Sequence, residues 1–395
     1  MSAPQTAATA WRRRMVARVA DEKHRTATTL ELFFDLCFVV AVAQTSAAFE
    51  EELAAGHVGS GVLGYALVFF AIWWAWMNFT WFASAYDTDD IPYRLLTVVQ
   101  ITGALVMSAG TSAALQHGDY TVITWGYVLM RLAMVSQWLR AAGSDPERRR
   151  SCLRYAAGIL VVQTGWLAHL VVPGSFRLTS HVVLALAELA IPVWAERAAN
   201  TTWHPRHIAE RFGLFTLIVL GESITAAAGA VRAALDTDAT FGGIATLVVG
   251  GTLTVCALWW LYFAQNASRR LGGFATATLW GYGHYAVFAC AAAVGAGLAV
   301  NVARSTGHGH LTAYGAAAAY TVPVAGFVLS VWLLHRGAAG HSTAPDAVHA
   351  LAVAALLAAT FAPAPVLVTG LVCALLVAAT CVPRGRRTGV RPAAA

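Results

Sequence analysis

The chain reads as an all-α polytopic integral membrane protein of about twelve transmembrane helices, arranged as two parallel six-helix halves. Three observations lead there. Of 395 residues, 58% are hydrophobic and 12% charged, with a mean hydropathy of +0.61; a soluble globular chain carries about 25% charged residues. The apolar residues come in long blocks, most of them near the roughly 20 residues that a helix needs to cross hydrocarbon. The basic residues sort between those blocks: 22 of the 26 Lys and Arg fall on one side, three (Arg177, Arg232, Arg304) on the other, and Arg131 lies inside a block. That asymmetry is an orientation signal, with the basic side cytoplasmic. It also removes nucleic acid as a partner suggested by the net charge of +6.

Taken in order, residues 1–29 form a polar tail with Arg12, Arg13, Arg14, Arg18, Lys23 and Arg25. Asp21-Glu-Lys-His-Arg25 separates the arginines from the first apolar run, so an export signal is not expected. The expectation is a cytoplasmic, partly disordered tail. Apolar blocks follow at 30–49, 61–85, 94–115, 121–140, 154–172, 180–197, 209–231, 243–266, 274–300, 312–335, 346–361 and 365–382. The last two are short, with Pro363 and Pro365 marking the turn between them, and read as two full spans or a re-entrant pair. Residues 384–395 are a second cytoplasmic tail. Localisation to the bacterial inner membrane with both termini inside follows from this reading.

Phe70-Ala-Ile-Trp-Trp-Ala-Trp76 matches Cys256-Ala-Leu-Trp-Trp-Leu-Tyr262, and each follows a helix that opens on an acid and a phenylalanine. This divides the chain into halves at 30–200 and 201–383. Six spans per half is an even number, so both halves enter from the same side, related by an axis along the membrane normal.

The chemistry lies in ionisable residues within apolar blocks, which are costly in lipid and therefore functional candidates. Glu31 and Asp35 are four apart, so a helix puts both on one face together with Phe38, Val42 and Thr45. His207, Glu210 and Arg211 share one turn at a cytoplasmic helix start, where Arg211 is placed to pair with Asp35 or Glu31. Glu222 lies about 18 Å deeper along that helix. Arg131 calls for a buried counter-charge among Glu31, Asp35, Glu188 and Glu222, with Glu31 or Asp35 favoured. His169, Glu188 and His284 are further intramembrane candidates. Trp73, Trp74, Trp259 and Trp260 are either a cavity wall or packing. The substrate or proton pathway is thus assigned to Glu31, Asp35, Glu210, Glu222 and His284, with Arg131 and Arg211 as counter-charges.

No Walker loop, H-E-x-x-H, G-x-S-x-G or CxxC occurs, and no metal or other cofactor is expected. The six cysteines are scattered and read as core residues. Asp87-Thr-Asp89-Asp90 faintly resembles an acidic diphosphate–magnesium motif but reads more simply as a solvated turn.

Two long strings, Leu30-Glu-Leu-Phe-Phe-Asp-Leu-Cys-Phe-Val-Val-Ala-Val-Ala-Gln44 and His207-Ile-Ala-Glu-Arg-Phe-Gly-Leu-Phe-Thr-Leu-Ile-Val-Leu-Gly-Glu-Ser223, resemble the recurring blocks of the bacterial low temperature requirement A family. The resemblance spans about residues 25–380. It implies a multi-pass inner-membrane protein associated with growth in the cold, without an established substrate or reaction. The expected function is a secondary transporter or permease using intramembrane carboxylates. The alternatives are a membrane-embedded enzyme acting on a lipid or isoprenoid, and a structural or cold-adaptation protein. Expected partners are membrane lipids and an unspecified solute, with a homo-oligomer allowed.

Overall fold

The computed structural model describes residues 11–19, 22, 25–235, 241–264, 271–307, 309–336 and 343–381. Within them the chain forms α-helices and no strand: α1 (Thr29–Ala54), α2 (Val58–Tyr86), α3 (Ile91–Ala109), α4 (Thr111–His117), α5 (Thr121–Ser144), α6 (Arg149–His169), α7 (Gly174–Glu196), α8 (Pro205–Leu235), α9 (Phe241–Phe263), α10 (Phe274–Ser305), α11 (Ala313–His335), α12 (Thr343–Ala358) and α13 (Pro365–Cys381). Eight of these stretches are long and apolar enough to cross a membrane: α1, α2, α3 continued by α4, and α7 to α11. α5 and α6 match them in length but are less apolar or more charged. α12 and α13 are shorter apolar helices. The chain is therefore a multi-pass helical membrane protein.

Local chemistry sets the helix ends. Thr28 and Glu31 form a reciprocal capping box at the start of α1, and the Asp90 carboxylate accepts the Tyr93 amide at the start of α3. Gly118 ends α4 in the left-handed conformation at φ 64°. Where α3 crosses α5, Gly103 and Gly126 face each other. A Cβ on either would lie 2.6–2.7 Å from the other's carbonyl oxygen, so only glycine permits this approach.

The helix ends meet as the charge asymmetry requires. At one end the His310 amide donates to the Ala54 carbonyl, and Arg177 donates to the Gly118 carbonyl. At the other, Arg148 donates to the Asn200 carbonyl and the His204 amide to Ser84 Oγ. Over 11–19 the tail docks against the helix ends. Met15 is fully buried, the Arg18 amide bonds the Ala85 carbonyl, and the Arg13 amide bonds Asp90. Part of the tail, and the basic positions Lys23, Arg269, Arg270, Arg384, Arg386, Arg387 and Arg391, lie outside the described residues.

α1, α2, α8 and α10 surround the centre. Trp76 stacks on Phe215 at 4.4 Å between ring centroids, and Phe34 meets Phe79 at 4.0 Å. Leu32, Phe33, Leu36 and Val40 of α1 face outward, as lipid contact requires. The face carrying Glu31, Asp35, Phe38, Val42 and Thr45 is buried, as its spacing predicts.

Candidate functional site

Two buried charge centres stand out. The first joins α1 to α8. Arg211 donates through Nε and Nη2 to both oxygens of Asp35 at 2.9 and 2.6 Å, a bidentate pair, while its Nη1 lies 3.1 Å from Glu31 Oε1. Trp76 Nε1 also donates to Asp35, at 2.7 Å. Glu31 Oε1 lies 3.1 Å from His207 Nε2 and 3.6 Å from Arg25 Nη2, and its Oε2 accepts the Thr28 amide. All these side chains except Thr28 are buried. The expected pairing of Arg211 with the acids of α1 is present, through two hydrogen bonds to Asp35 and an ion pair with Glu31.

The rim of this centre, at the start of α1 and the end of α2, is also salt-bridged. Asp87 lies 3.5 Å from Arg25 and 3.6 Å from Arg18. Burial, reinforced by the Glu31 charge, pushes the Asp87 carboxyl up to about 6 against the pull of Arg25 and Arg18. Burial also opposes ionisation of Asp90. There the Arg13 and Tyr93 amides and the Arg140 guanidinium outweigh it and hold the carboxyl below the usual range. Asp89 pairs separately with Arg94 at 2.7 Å. The three acids thus point to different arginines, and no group of three or more metal-ligating side chains occurs among the described residues.

The second centre is deeper. Arg131 of α5 donates through Nη2 to Glu188 Oε2 of α7, in contact with each other in the core. Trp74 Nε1 donates to the same oxygen at 2.9 Å, and the Tyr127 hydroxyl to Glu188 Oε1 at 2.8 Å. The Tyr127 ring lies 4.9 Å from the guanidinium carbon. The favoured pairing of Arg131 with Glu31 or Asp35 does not form. Asp35 is occupied by Arg211, and α5 packs chiefly against α3 and α6 rather than α1.

The remaining candidates are dispersed. His284 is buried and bonded to the Tyr262 hydroxyl at 3.0 Å and the Trp280 carbonyl at 2.8 Å. Glu222 is half-buried on α8 and Glu210 half-exposed nearer its start, neither ion-paired among the described residues. Trp73 and Trp74 are buried, but Trp259 and Trp260 are 44% and 47% exposed. The second aromatic pair therefore lines no interior wall. In the repeated string Ile72 and Leu258, Ala75 and Leu261, and Trp76 and Tyr262 are buried at matching positions, and the last pair each bond a polar partner. The cysteines are all free, with Cys256 and Cys381 exposed rather than in the core.

Two cavities lie beside Tyr127 and Trp74, which both bond Glu188, although neither Arg131 nor Glu188 itself lines them. The outer one is bounded by Phe70, Thr124, Tyr127, Trp166, His169 and His181. The inner one is bounded by Trp74, Asn78, Trp138, Tyr155, Pro192 and Tyr282. Sequence reasoning missed Tyr127, Trp166 and His181. Charge balance offered one signal: once Arg211 takes the acids of α1, Glu188 is the remaining deep acid of the first half for Arg131.

The chain matches the family model of the bacterial low temperature requirement A protein over residues 26–381. It belongs to that family. An uncharacterized protein of Rhizobium meliloti (strain 1021) is 27% identical over 248 residues, which cover 60% of this chain and 58% of that protein. The chain thus aligns with less than two thirds of that relative. No solved structure matches it. In this member of the LtrA family the two strings that carry the family resemblance build the α1–α8 centre, while the Arg131–Glu188 centre lies outside both.

Proposed function

We propose that this LtrA-family protein is a secondary transporter or permease of the bacterial inner membrane. Its path runs through α2, α5, α6 and α7 and is closed at mid-depth by Arg131 and Glu188. The observation that carries the reading is the order of cavity residues along each helix. On α2, Phe70 borders the outer cavity and Trp74, one turn inward, the inner one. On α5 the order is Tyr127, Arg131, Trp138; on α7 it is His181, Glu188, Pro192. The pair is thus the barrier between spaces that open toward opposite faces, as alternating access requires. Pro192 lacks the amide that would bond the Glu188 carbonyl, which loosens α7 beside the barrier.

Glu31, Asp35 and Arg211 serve in this reading as a fixed clamp between halves, since Arg211 and Asp35 form a bidentate pair with Glu31 in ion-pair reach. Glu222 and Glu210, free of ion pairs among the described residues, are secondary carboxylates, and His284 is a packing residue. Twelve spans, cytoplasmic termini and a 30–200/201–383 duplication belong to the same proposal. Neighbour order supports the duplication: α1 packs on α3 and α3 on α5, as α8 packs on α10 and α10 on α11. No observation favours the lipid or isoprenoid enzyme, because the Asp87, Asp89 and Asp90 carboxylates diverge.

The test is reconstitution in liposomes holding a pH-sensitive dye, with a panel of labelled anions, cations and neutral solutes. Glu188→Gln should abolish pH-gradient-driven flux. Parent protein that moves no solute and no protons overturns the proposal.

A further inference from the structure

We infer that Arg131 anchors a binding site for a small organic carboxylate with an aromatic or apolar body, taken together with one proton on Glu188. This deepens the transporter reading, on which its transport aspect rests; binding itself can be tested alone. The argument begins with a comparison inside the molecule. Arg211 spends Nε and Nη2 on Asp35; its Nη1 makes no hydrogen bond but lies 3.1 Å from the Glu31 carboxylate, which compensates its charge. Arg131 uses Nη2 alone. Its Nε and Nη1 are buried without an acceptor among the described residues, although the side chain is only 2% exposed. A guanidinium cannot shed its charge, so buried idle donors are a standing cost.

Glu188 cannot remove that cost. Both of its oxygens already accept bonds, from Arg131, Trp74 and Tyr127. Trp166, in the wall of the outer cavity, adds another buried donor, Nε1, without an acceptor. The region therefore has surplus donors, and a ligand rich in acceptors complements it. A carboxylate matches either edge of the guanidinium in paired N–H···O bonds. The walls say what the carboxylate is attached to: Phe70, Tyr127 and Trp166 outside, Trp74, Trp138 and Tyr282 inside, are flat rings suited to an apolar or aromatic body.

Charge balance supplies the proton. Arg131 and Glu188 together are neutral, and an added anion would leave one uncompensated charge in the core. The groups that reach Glu188 are Tyr127 and Arg131 from α5 and Trp74 from α2. Tyr282 of α10 spends its hydroxyl on the adjacent Leu189 carbonyl. None of these brings a second positive charge. When the incoming carboxylate takes Nη2, the released Glu188 oxygen accepts one proton, so the loaded site is neutral again. Access from outside runs past Arg177, which shares a space of about 550 Å³ with His169 and Tyr120. Those last two also border the outer cavity.

Benzoate is the probe, titrated calorimetrically into the full chain in detergent at pH 6 and pH 8, with benzamide and benzylammonium as neutral and cationic isosteres. Saturable binding of benzoate alone, tighter at pH 6, is expected. Arg131→Lys and Trp166→Phe, each checked by a melting curve, should weaken it by about tenfold. Glu188→Gln should keep or tighten binding, lose its pH dependence, and gain melting temperature when benzoate is added, because the ligand then supplies the missing counter-charge. No benzoate binding by the parent, equal binding of benzamide, or unchanged binding by Arg131→Lys overturns the inference. Binding as expected with no flux above protein-free vesicles would overturn the transport reading and leave the site. Proton-linked flux of another solute without benzoate binding would overturn the carboxylate alone.

Discussion

Asp35 and Glu188 are both buried acids beside an arginine, yet they are held differently. Asp35 receives three donors, two of them from one bidentate guanidinium, and exchanging it removes the charge that neutralises Arg211. Asp35→Asn should therefore cost roughly 3–5 kcal/mol, seen as an early melting transition in detergent. Asp87 gives a pH-dependent counterpart at the rim of the same centre. Its folded carboxyl titrates near 6, above the ordinary value of 3.8. Between those values the folded protein holds more protons than the unfolded one, so stability falls as pH rises from about 4 to 6. Asp87→Asn should flatten that part of the melting-temperature profile. A slope that survives the substitution would place its origin elsewhere.

At the scale of elements, close helix crossings matter as much as charge. Gly103 and Gly126 let α3 and α5 touch backbone to backbone, and α5 is the helix that carries Tyr127 and Arg131. Gly126→Leu should push the pair apart, destabilising by about 1–3 kcal/mol or more, and should reduce solute binding as well as melting temperature. Thr28→Ala tests the other end of the assembly. It removes one half of the capping box and should cost about 1 kcal/mol, measurable as a small drop in melting temperature. The run at 11–19, anchored by buried Met15, shows that a polar, arginine-rich segment can dock when acids at helix ends accept its amides and guanidinium groups.

For the whole molecule, orientation is the property most directly open to test. Reporter fusions after Arg150 and Arg386 should read cytoplasmic, and one after Glu51 external, if the basic residues set topology as proposed. A periplasmic signal at Arg386 would mean an odd number of spans and would remove the six-plus-six layout. A further fusion after Ala364, between α12 and α13, separates two full crossings from a re-entrant pair, since both alternatives return the chain to the side it left and differ only at that turn.

Sequence alone determined the class, the helical blocks and the buried face of α1, because long apolar runs and a four-residue spacing are local properties that hydrocarbon and helix geometry read directly. It also brought Arg211 to the acids of α1, since two charges at matching depth from the same membrane face have few other choices. Tertiary structure decided the rest. Which acid meets Arg131 depends on the neighbours of α5, not on any local pattern, and Glu188 is the partner because Asp35 is taken by Arg211. Whether a tryptophan pair faces a cavity or lipid depends on helix rotation, so Trp73 and Trp74 are buried while Trp259 and Trp260 are not. The two cavities and the idle donors of Arg131 between them exist only once α2, α5, α6 and α7 are packed, because a cavity is a property of the gaps between helices.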